Sequence, residues 1–408
     1  MMQFGLLGRS LAHSLSPQIH QCFGDYPYAL FCREPETLPA FFRDKSLTGF
    51  NVTVPYKLEA LRACDVLSDE AKRIGAVNTV LRRADGTLYG DNTDYFGFCY
   101  LAKRNGVEFR GKKVVVLGSG GASRTVRTVA TDAGARQVVV ISRTGEDNYQ
   151  NLNRHFDAEI LVNTTPVGMY PHNLASPVSL EGFHCLQAVL DLIYNPMQTA
   201  LLRDAQQRKI RCANGLAMLV AQALPAARLF SGKDLPDSLI ETTIQTLEHQ
   251  QRNIVLIGMP GCGKSTVGAL LAEALGKTFL DTDAMVEAEA GMPIPAIFAQ
   301  EGEAGFRARE AAAVRDAGKR LSCVIATGGG SILTEENRAA LRQNAVVVYL
   351  KKDLHALATD GRPLSKDENA LQLLYRQRKP IYEAFADCSV PVADAAQTTT
   401  ERVISCIC

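Results

Sequence analysis

The 408-residue sequence contains no tryptophan, so its intrinsic fluorescence rests on tyrosine alone. Eleven cysteines are scattered without a paired CxxC spacing, apart from a terminal Cys406-Ile407-Cys408, which excludes a disulfide framework or a zinc ribbon and fits reduced thiols. Neither sign of charge is in excess: 44 Lys plus Arg stand against 43 Asp plus Glu, and no global field draws the chain to nucleic acid or to an acidic membrane. No apolar run reaches the roughly eighteen residues of a membrane helix. Met1 leads almost directly into the strand-like Phe4-Gly5-Leu6-Leu7, without the basic start and apolar run of a signal peptide. A soluble, cytoplasmic protein is expected, with small molecules rather than nucleic acid or membrane as its partners.

What is present is ordinary globular material, 46% hydrophobic and 21% charged, long enough for two or three domains at roughly 150 residues each. Two glycine loops each follow a β-branched run and open a helical pattern. Val114-Val115-Val116-Leu117 precedes Gly118, and Ile254-Val255-Leu256-Ile257 precedes Gly258. Strand, glycine loop and helix make the βαβ nucleotide-binding arrangement, and because the two loops differ in type they predict two different nucleotide sites. Ser231-Gly232-Lys233-Asp234-Leu235-Pro236 has linker composition, and a fresh strand begins near Asn253. The expected domains are 1–95 for substrate, with 214–231 packing back on it, 96–213 for dinucleotide, a linker helix over 232–251, and 252–408 for the second nucleotide.

In the first loop, Gly118-Ser119-Gly120-Gly121-Ala122 lets backbone N–H groups approach a pyrophosphate at a helix N-terminus. The next strand ends in Ser142-Arg143-Thr144, where an NAD site would carry an acidic residue; Arg143 instead suits a 2′-phosphate and predicts NADP(H). Upstream, Ser14-Leu15-Ser16-Pro17, Asn51-Val52-Thr53-Val54-Pro55-Tyr56-Lys57, Gly75-Ala76-Val77-Asn78-Thr79 and Gly90-Asp91-Asn92-Thr93-Asp94 gather hydroxyls, amides, one Lys and one Asp, a set suited to a polyhydroxylated acid. With Asn163-Thr164-Thr165-Pro166-Val167-Gly168-Met169, Asp191-Leu192-Ile193-Tyr194-Asn195-Pro196 and Asn214-Gly215 through Gln222, these motifs resemble the shikimate dehydrogenase family over residues 1 to about 231. The resemblance implies NADPH-dependent reduction of 3-dehydroshikimate to shikimate. Ser14, Ser16, Thr53, Asn78, Asp94, Tyr194 and Gln222 would hold substrate, Lys57 would deliver the proton with Asp94 holding it, and Gly118, Ser119, Gly120, Gly121, Ala122, Arg143, Thr144 and Gly215 would carry the dinucleotide. The stretch between Arg143-Thr144 and the strand at Ile160 is only about fifteen residues, shorter than in the family.

The second loop, Gly258-Met259-Pro260-Gly261-Cys262-Gly263-Lys264-Ser265-Thr266, is a complete phosphate loop whose backbone cradles phosphates, whose Lys264 reaches the β and γ groups and whose Ser265 offers its hydroxyl to Mg²⁺. Cys262 stands near a helix N-terminus, where a thiolate is favoured, and ATP-protectable inactivation by thiol reagents is expected. Further motifs identify the acceptor: Leu280-Asp281-Thr282-Asp283, Gly305-Phe306-Arg307-Ala308-Arg309-Glu310, Ala326-Thr327-Gly328-Gly329-Gly330-Ser331, Gly361-Arg362-Pro363-Leu364 and Arg378-Lys379-Pro380-Ile381-Tyr382. From residue 252 onward they resemble shikimate kinase. That implies transfer of the ATP γ-phosphoryl group to shikimate. Asp281 and Ser265 would hold Mg²⁺, Asp283 would orient the accepting hydroxyl, and Arg307 and Arg378 would bind the carboxylate beside Gly328, Gly329 and Gly330. Gly261, Cys262, Gly263, Lys264, Ser265 and Thr266 would hold ATP, and Arg362, on a lid shorter than usual, would close over the phosphates.

The expectation is therefore an α/β fold: a substrate domain, a Rossmann-like NADP domain and a P-loop kinase domain, forming a bifunctional enzyme that uses NADP(H), ATP and Mg²⁺. Two alternatives are a quinate/shikimate dehydrogenase with a weak kinase half, and a nucleotide-binding regulator built from degenerate enzyme domains. The latter predicts eroded chemistry, whereas Lys57, Asp94, Lys264, Asp283 and Arg307 all stand in place.

Overall fold

The computed structural model describes residues 3–12, 14–357 and 368–407. The chain forms two compact units, Met1–Leu247 and Glu248–Cys408.

The first unit holds two sheets. One contains β1 (Gln3–Gly8), β2 (Tyr28–Cys32), β3 (Leu47–Val52), β4 (Val66–Leu67), β5 (Thr79–Arg82) and β6 (Leu88–Asp91) in the order β2-β1-β3-β5-β6-β4. Strands β1, β2 and β3 pair in parallel, while β5 pairs antiparallel with both β3 and β6. That register sets Asn51 opposite Thr79 and Thr79 opposite Asp91, so residues far apart in sequence meet at one edge. The other sheet is wholly parallel: β7 (Lys113–Leu117), β8 (Gln137–Ile141), β9 (Ile160–Asn163), β10 (Ala188–Asp191) and β11 (Arg211–Ala213), in the order β11-β10-β9-β7-β8. All five residues of β7 are buried, as the unbroken Val run requires of a strand covered on both faces. Leu117, Asn163 and Asp191 pair across β7, β9 and β10, so the loops that follow them leave from one edge, where open parallel sheets bind ligands.

Between β8 and β9 the chain forms only the short 3₁₀ turn Leu152–His155. The helix Leu216–Ser231 packs on the helix Asp94–Arg104 and on β3 and β5. The linker helix expected over 232–251 is the helix Ser238–Gln251, whose Ile240, Ile244 and Leu247 recur at helical spacing and are buried in the core of the first unit. Glu241 fastens the outer face, accepting from Arg104 Nε at 2.9 Å and from the Tyr100 hydroxyl.

The second unit is a single parallel sheet: β12 (Asn253–Ile257), β13 (Thr278–Asp281), β14 (Cys323–Ala326), β15 (Ala345–Lys351) and β16 (Cys388–Pro391), ordered β13-β14-β12-β15-β16. Asp281 is paired with Ala326 and Leu256 with Ala326, so the phosphate loop, the Asp281 turn and the Thr327–Gly330 segment share one edge. Among the described residues, no helix is long and apolar enough to cross a membrane.

Candidate functional site

The first site is built from a buried polar chain beneath the β3-β5-β6 edge. Lys57 opens the helix Lys57–Ala63 and Asp94 opens Asp94–Arg104. Lys57 Nζ donates to Asp94 Oδ2 at 2.5 Å, with both side chains mostly buried. Asp94 Oδ1 accepts from Asn78 Nδ2 at 3.0 Å, and the same amide nitrogen reaches Thr93 Oγ1 at 3.0 Å and Gln222 Oε1 at 3.3 Å. Gln222 lies 144 residues from Asn78 and is carried in by the helix Leu216–Ser231. Behind Asn78, Thr79 Oγ1 accepts from Asn51 Nδ2 at 2.9 Å, and Asn51 Oδ1 accepts from the Tyr28 hydroxyl at 2.7 Å. Burial pushes the Tyr28 phenol well up, and the Ser16 hydroxyl beside it pulls partly back. Ser14 Oγ and Ser16 Oγ lie 3.2 Å apart. Thr53 is pinned by its N–H to Leu7 O at 2.9 Å. Asn51, Thr79 and Tyr28 were not singled out from sequence; Asn51 and Thr79 stood inside quoted motifs, but Tyr28 carried no local signal.

The dinucleotide loop adjoins this chain. A Cβ placed on Gly121 would stand 3.3 Å from Lys57 Cδ, so the start of the helix Gly121–Asp132 faces the stem of the lysine. Gly118 adopts φ +102°, no side chain caps the helix, and space is open beside Gly120. Uncapped amides at an open helix start fit a pyrophosphate. Ser119 and Ala122 lie in the same turn, while Arg143 and Thr144 are exposed at the end of β8. At Gly215 a Cβ would meet Leu192 O at 2.1 Å, so only glycine allows this strand-to-helix turn to touch the 192–194 loop. Tyr194 lies on that loop, packed against the apolar cluster, with its phenol pushed up by burial.

One residue quoted in a motif without a role organises both loops at this edge. Asp191, fully buried at the end of β10, accepts from Asn163 Nδ2 at 2.9 Å, from Thr199 Oγ1 at 2.7 Å and from Ile193 N at 3.1 Å. Burial pushes its carboxyl up to about 6, against the lowering effect of those three donors.

The second site is a cavity of about 520 Å³ lined by the phosphate loop, Asp281, Asp283, Arg307, Glu310, the Thr327–Gly330 segment and Arg378. Lys264 Nζ folds back onto its own loop, donating to Gly258 O and Met259 O at 3.0 Å each. Ser265 Oγ donates to Asp281 Oδ2 at 2.5 Å, and Asp281 Oδ1 caps the next helix through Asp283 N at 2.9 Å. Burial, then the neighbouring Asp281, pushes the Asp283 carboxyl up to about 6; its Oδ1 is buried without a hydrogen-bond partner. An oxygen-only set beside phosphate-cradling amides fits Mg²⁺. Gly261, Gly263 and Thr266 line the cavity. The Cys262 side chain does not: it is fully buried, with Sγ 3.8 Å from Lys264 Nζ, and burial removes the access on which the expected thiol inactivation depended.

Arg307 Nη1 donates to Glu310 Oε2 at 2.8 Å, and Ser331 Oγ donates to Glu310 Oε1 at 2.8 Å. A Cβ on Gly330 would lie 2.5 Å from Arg307 Nη1, so the guanidinium lies flat against bare backbone. Arg378 is buried, and the nearby Tyr382 hydroxyl donates to Gly329 O at 2.5 Å. Gly328 N is held by Thr282 Oγ1 at 3.0 Å. Glu310 and Ser331 were quoted in motifs without a role. Arg362 lies outside the described residues.

Residues 260–408 match the family model for shikimate kinase, and residues 6–80 that for the shikimate dehydrogenase substrate binding domain. A shikimate dehydrogenase (NADP(+)) of Clostridium perfringens is 35% identical over a 269-residue alignment that covers 61% of this chain and 99% of the relative; one of Methanosarcina mazei is 36% identical, covering 59% and 96%. Among solved structures, shikimate dehydrogenase 1 of Peptoclostridium difficile is 36% identical with a TM-score of 0.57, over 60% of this chain and 98% of that one. Shikimate 5-dehydrogenase of Thermus thermophilus, in complex with NADP(H) and shikimate, is 35% identical with a TM-score of 0.55, over 60% and 99%.

Proposed function

Because the chain belongs to the shikimate dehydrogenase family and continues into a shikimate kinase domain, we infer that it catalyses two consecutive reactions, NADPH-dependent reduction of 3-dehydroshikimate and ATP-dependent phosphorylation of the resulting shikimate. The observation that carries the first half is the 2.5 Å Lys57–Asp94 pair set against the start of the dinucleotide helix. NADPH, when bound, supplies the hydride. Lys57 Nζ holds the proton that the new alkoxide oxygen takes, and Asp94 holds that nitrogen in place at 2.5 Å. Asn78, itself held by Gln222, fixes Asp94 from behind, and Asn78 and Gln222 with Ser14, Ser16, Thr53 and Tyr194 offer donors and acceptors to a hydroxylated carboxylic acid. Gly118 to Ala122 and Gly215 would take the dinucleotide, and Arg143 with Thr144 its 2′-phosphate.

In the second half Asp283 would orient the accepting hydroxyl and take its proton, a role that its raised carboxyl supports. Arg307 and Arg378 present guanidinium forks suited to a carboxylate. Lys264, released from Gly258 O and Met259 O, would turn to the phosphates, with Gly261, Gly263 and Thr266 around them and the Cys262 backbone between. Mg²⁺, held by Ser265 and Asp281, offsets phosphate charge when bound.

The test is a coupled assay of the purified chain with 3-dehydroshikimate, NADPH, ATP and Mg²⁺, following NADPH loss and shikimate 3-phosphate by mass. Both signals are expected, with NADH a poor substitute. Accumulation of shikimate would overturn the kinase half, and absence of NADPH loss the dehydrogenase half.

A further inference from the structure

After β8 the chain turns back on itself instead of entering a helix. Ser142 N donates to Asp147 O at 3.3 Å and Asn151 Nδ2 to Glu146 O at 2.9 Å, while Asn151 Oδ1 accepts from Asn148 N at 2.8 Å. This tight loop carries one cation, Arg143, and two carboxylates, Glu146 and Asp147. Arg143 is exposed and, among the described residues, joins no ion pair, although Asp147 lies four positions along the same loop. Asp147 is occupied elsewhere: its Oδ1 lies 2.9 Å from Nε2 of His155, which is buried in the 3₁₀ turn Leu152–His155.

Guanidinium and carboxylate pair readily when both are free, and a carboxylate at a phosphate site repels the dianion. We propose that His155 determines the choice of NADPH over NADH by holding the Asp147 carboxylate away from Arg143, which leaves the guanidinium open to the 2′-phosphate. His155 is a positioning residue here, and its role rests on the reading of Arg143 as the 2′-phosphate contact. The histidine and the aspartate both lie within the short stretch between Arg143-Thr144 and the strand at Ile160, where the 3₁₀ turn Leu152–His155 brings them together.

The test uses the full chain in steady-state reduction of 3-dehydroshikimate with each cofactor. His155→Ala should raise KM for NADPH roughly tenfold and leave KM for NADH unchanged. Removing the freed carboxylate in His155→Ala/Asp147→Ala should return KM for NADPH to near the parent value. A purely structural latch predicts the opposite: Asp147→Ala would harm as much as His155→Ala and the double variant would show no rescue, which overturns the proposal, as does an unchanged KM for NADPH in His155→Ala. If His155→Ala fails to fold, Asp147→Ala decides alone, since KM for NADPH must stay at or below the parent value. Arg143→Ala separates the premises: an unchanged KM for NADPH there removes the reading of Arg143, whereas a raised one with His155→Ala silent removes only the latch.

Discussion

Lys57 and Asp94 stand 37 positions apart and meet at 2.5 Å, each at the first residue of its helix. Lys57→Ala should lower kcat by roughly 10²–10⁴-fold and shift KM for 3-dehydroshikimate by only a few-fold, as expected when a group acts on the transition state. Steady-state kinetics decide it, and near-normal kcat would remove the proton from Lys57. Asp191 gives a second prediction at this scale. Its carboxyl, at 3.8 in the unfolded chain and about 6 when folded, favours the protonated folded state, so its stabilising contribution is full below pH 3.8 and is lost as pH rises through 6. A displacement of that size is worth about 3 kcal/mol. Asp191→Asn should therefore weaken the fall in stability between pH 4 and 7, read as hydrogen-exchange protection of β9 and β10; an unaltered slope would place the titration elsewhere. Most legible in the sequence are positions whose proposed role needs only near neighbours, such as Gly118 to Gly121 or Gly261 to Ser265. Tyr28 and the His155–Asp147 pair escaped, and Asp191 stood in a motif without a role, because their partners come from other strands or from a turn that no periodicity announces.

Elements follow the same division. Buried Val and Ile runs before each glycine loop announced β7 and β12, because parallel central strands are apolar on both faces. The helix Ser238–Gln251 is expected from sequence only as a linker helix after the Ser231–Pro236 stretch, and Ile240, Ile244 and Leu247 give it a buried face in the first unit. The i, i+4, i+7 spacing of these residues marks a packing face, but the neighbours that receive it lie elsewhere in the chain. Ile244 is fully buried, and Ile244→Ala should cost the first unit about 2–5 kcal/mol, seen as an earlier loss of dehydrogenase activity with urea. Retention of the midpoint would return the helix to the status of a connector.

On the scale of the whole molecule, the residues proposed for the two chemistries lie in separate units: Lys57 and Asp94 within Met1–Leu247, Lys264 and Asp283 within Glu248–Cys408. Shikimate, small and ionised, is the product of one and the acceptor of the other. Covalent linkage raises the effective concentration of such a shared intermediate only modestly unless a closed path carries it. Two single variants test whether the units exchange it through solution. Lys57→Ala should retain phosphorylation of added shikimate, and Lys264→Ala should retain reduction while losing phosphoryl transfer. Mixed together, they should carry 3-dehydroshikimate fully to shikimate 3-phosphate, and added unlabelled shikimate should dilute label passing through the parent chain. If the mixture stalls at shikimate although each variant keeps its own activity, the kinase unit must receive its substrate from its own chain, and the fusion would then be part of the chemistry rather than a means of equal expression.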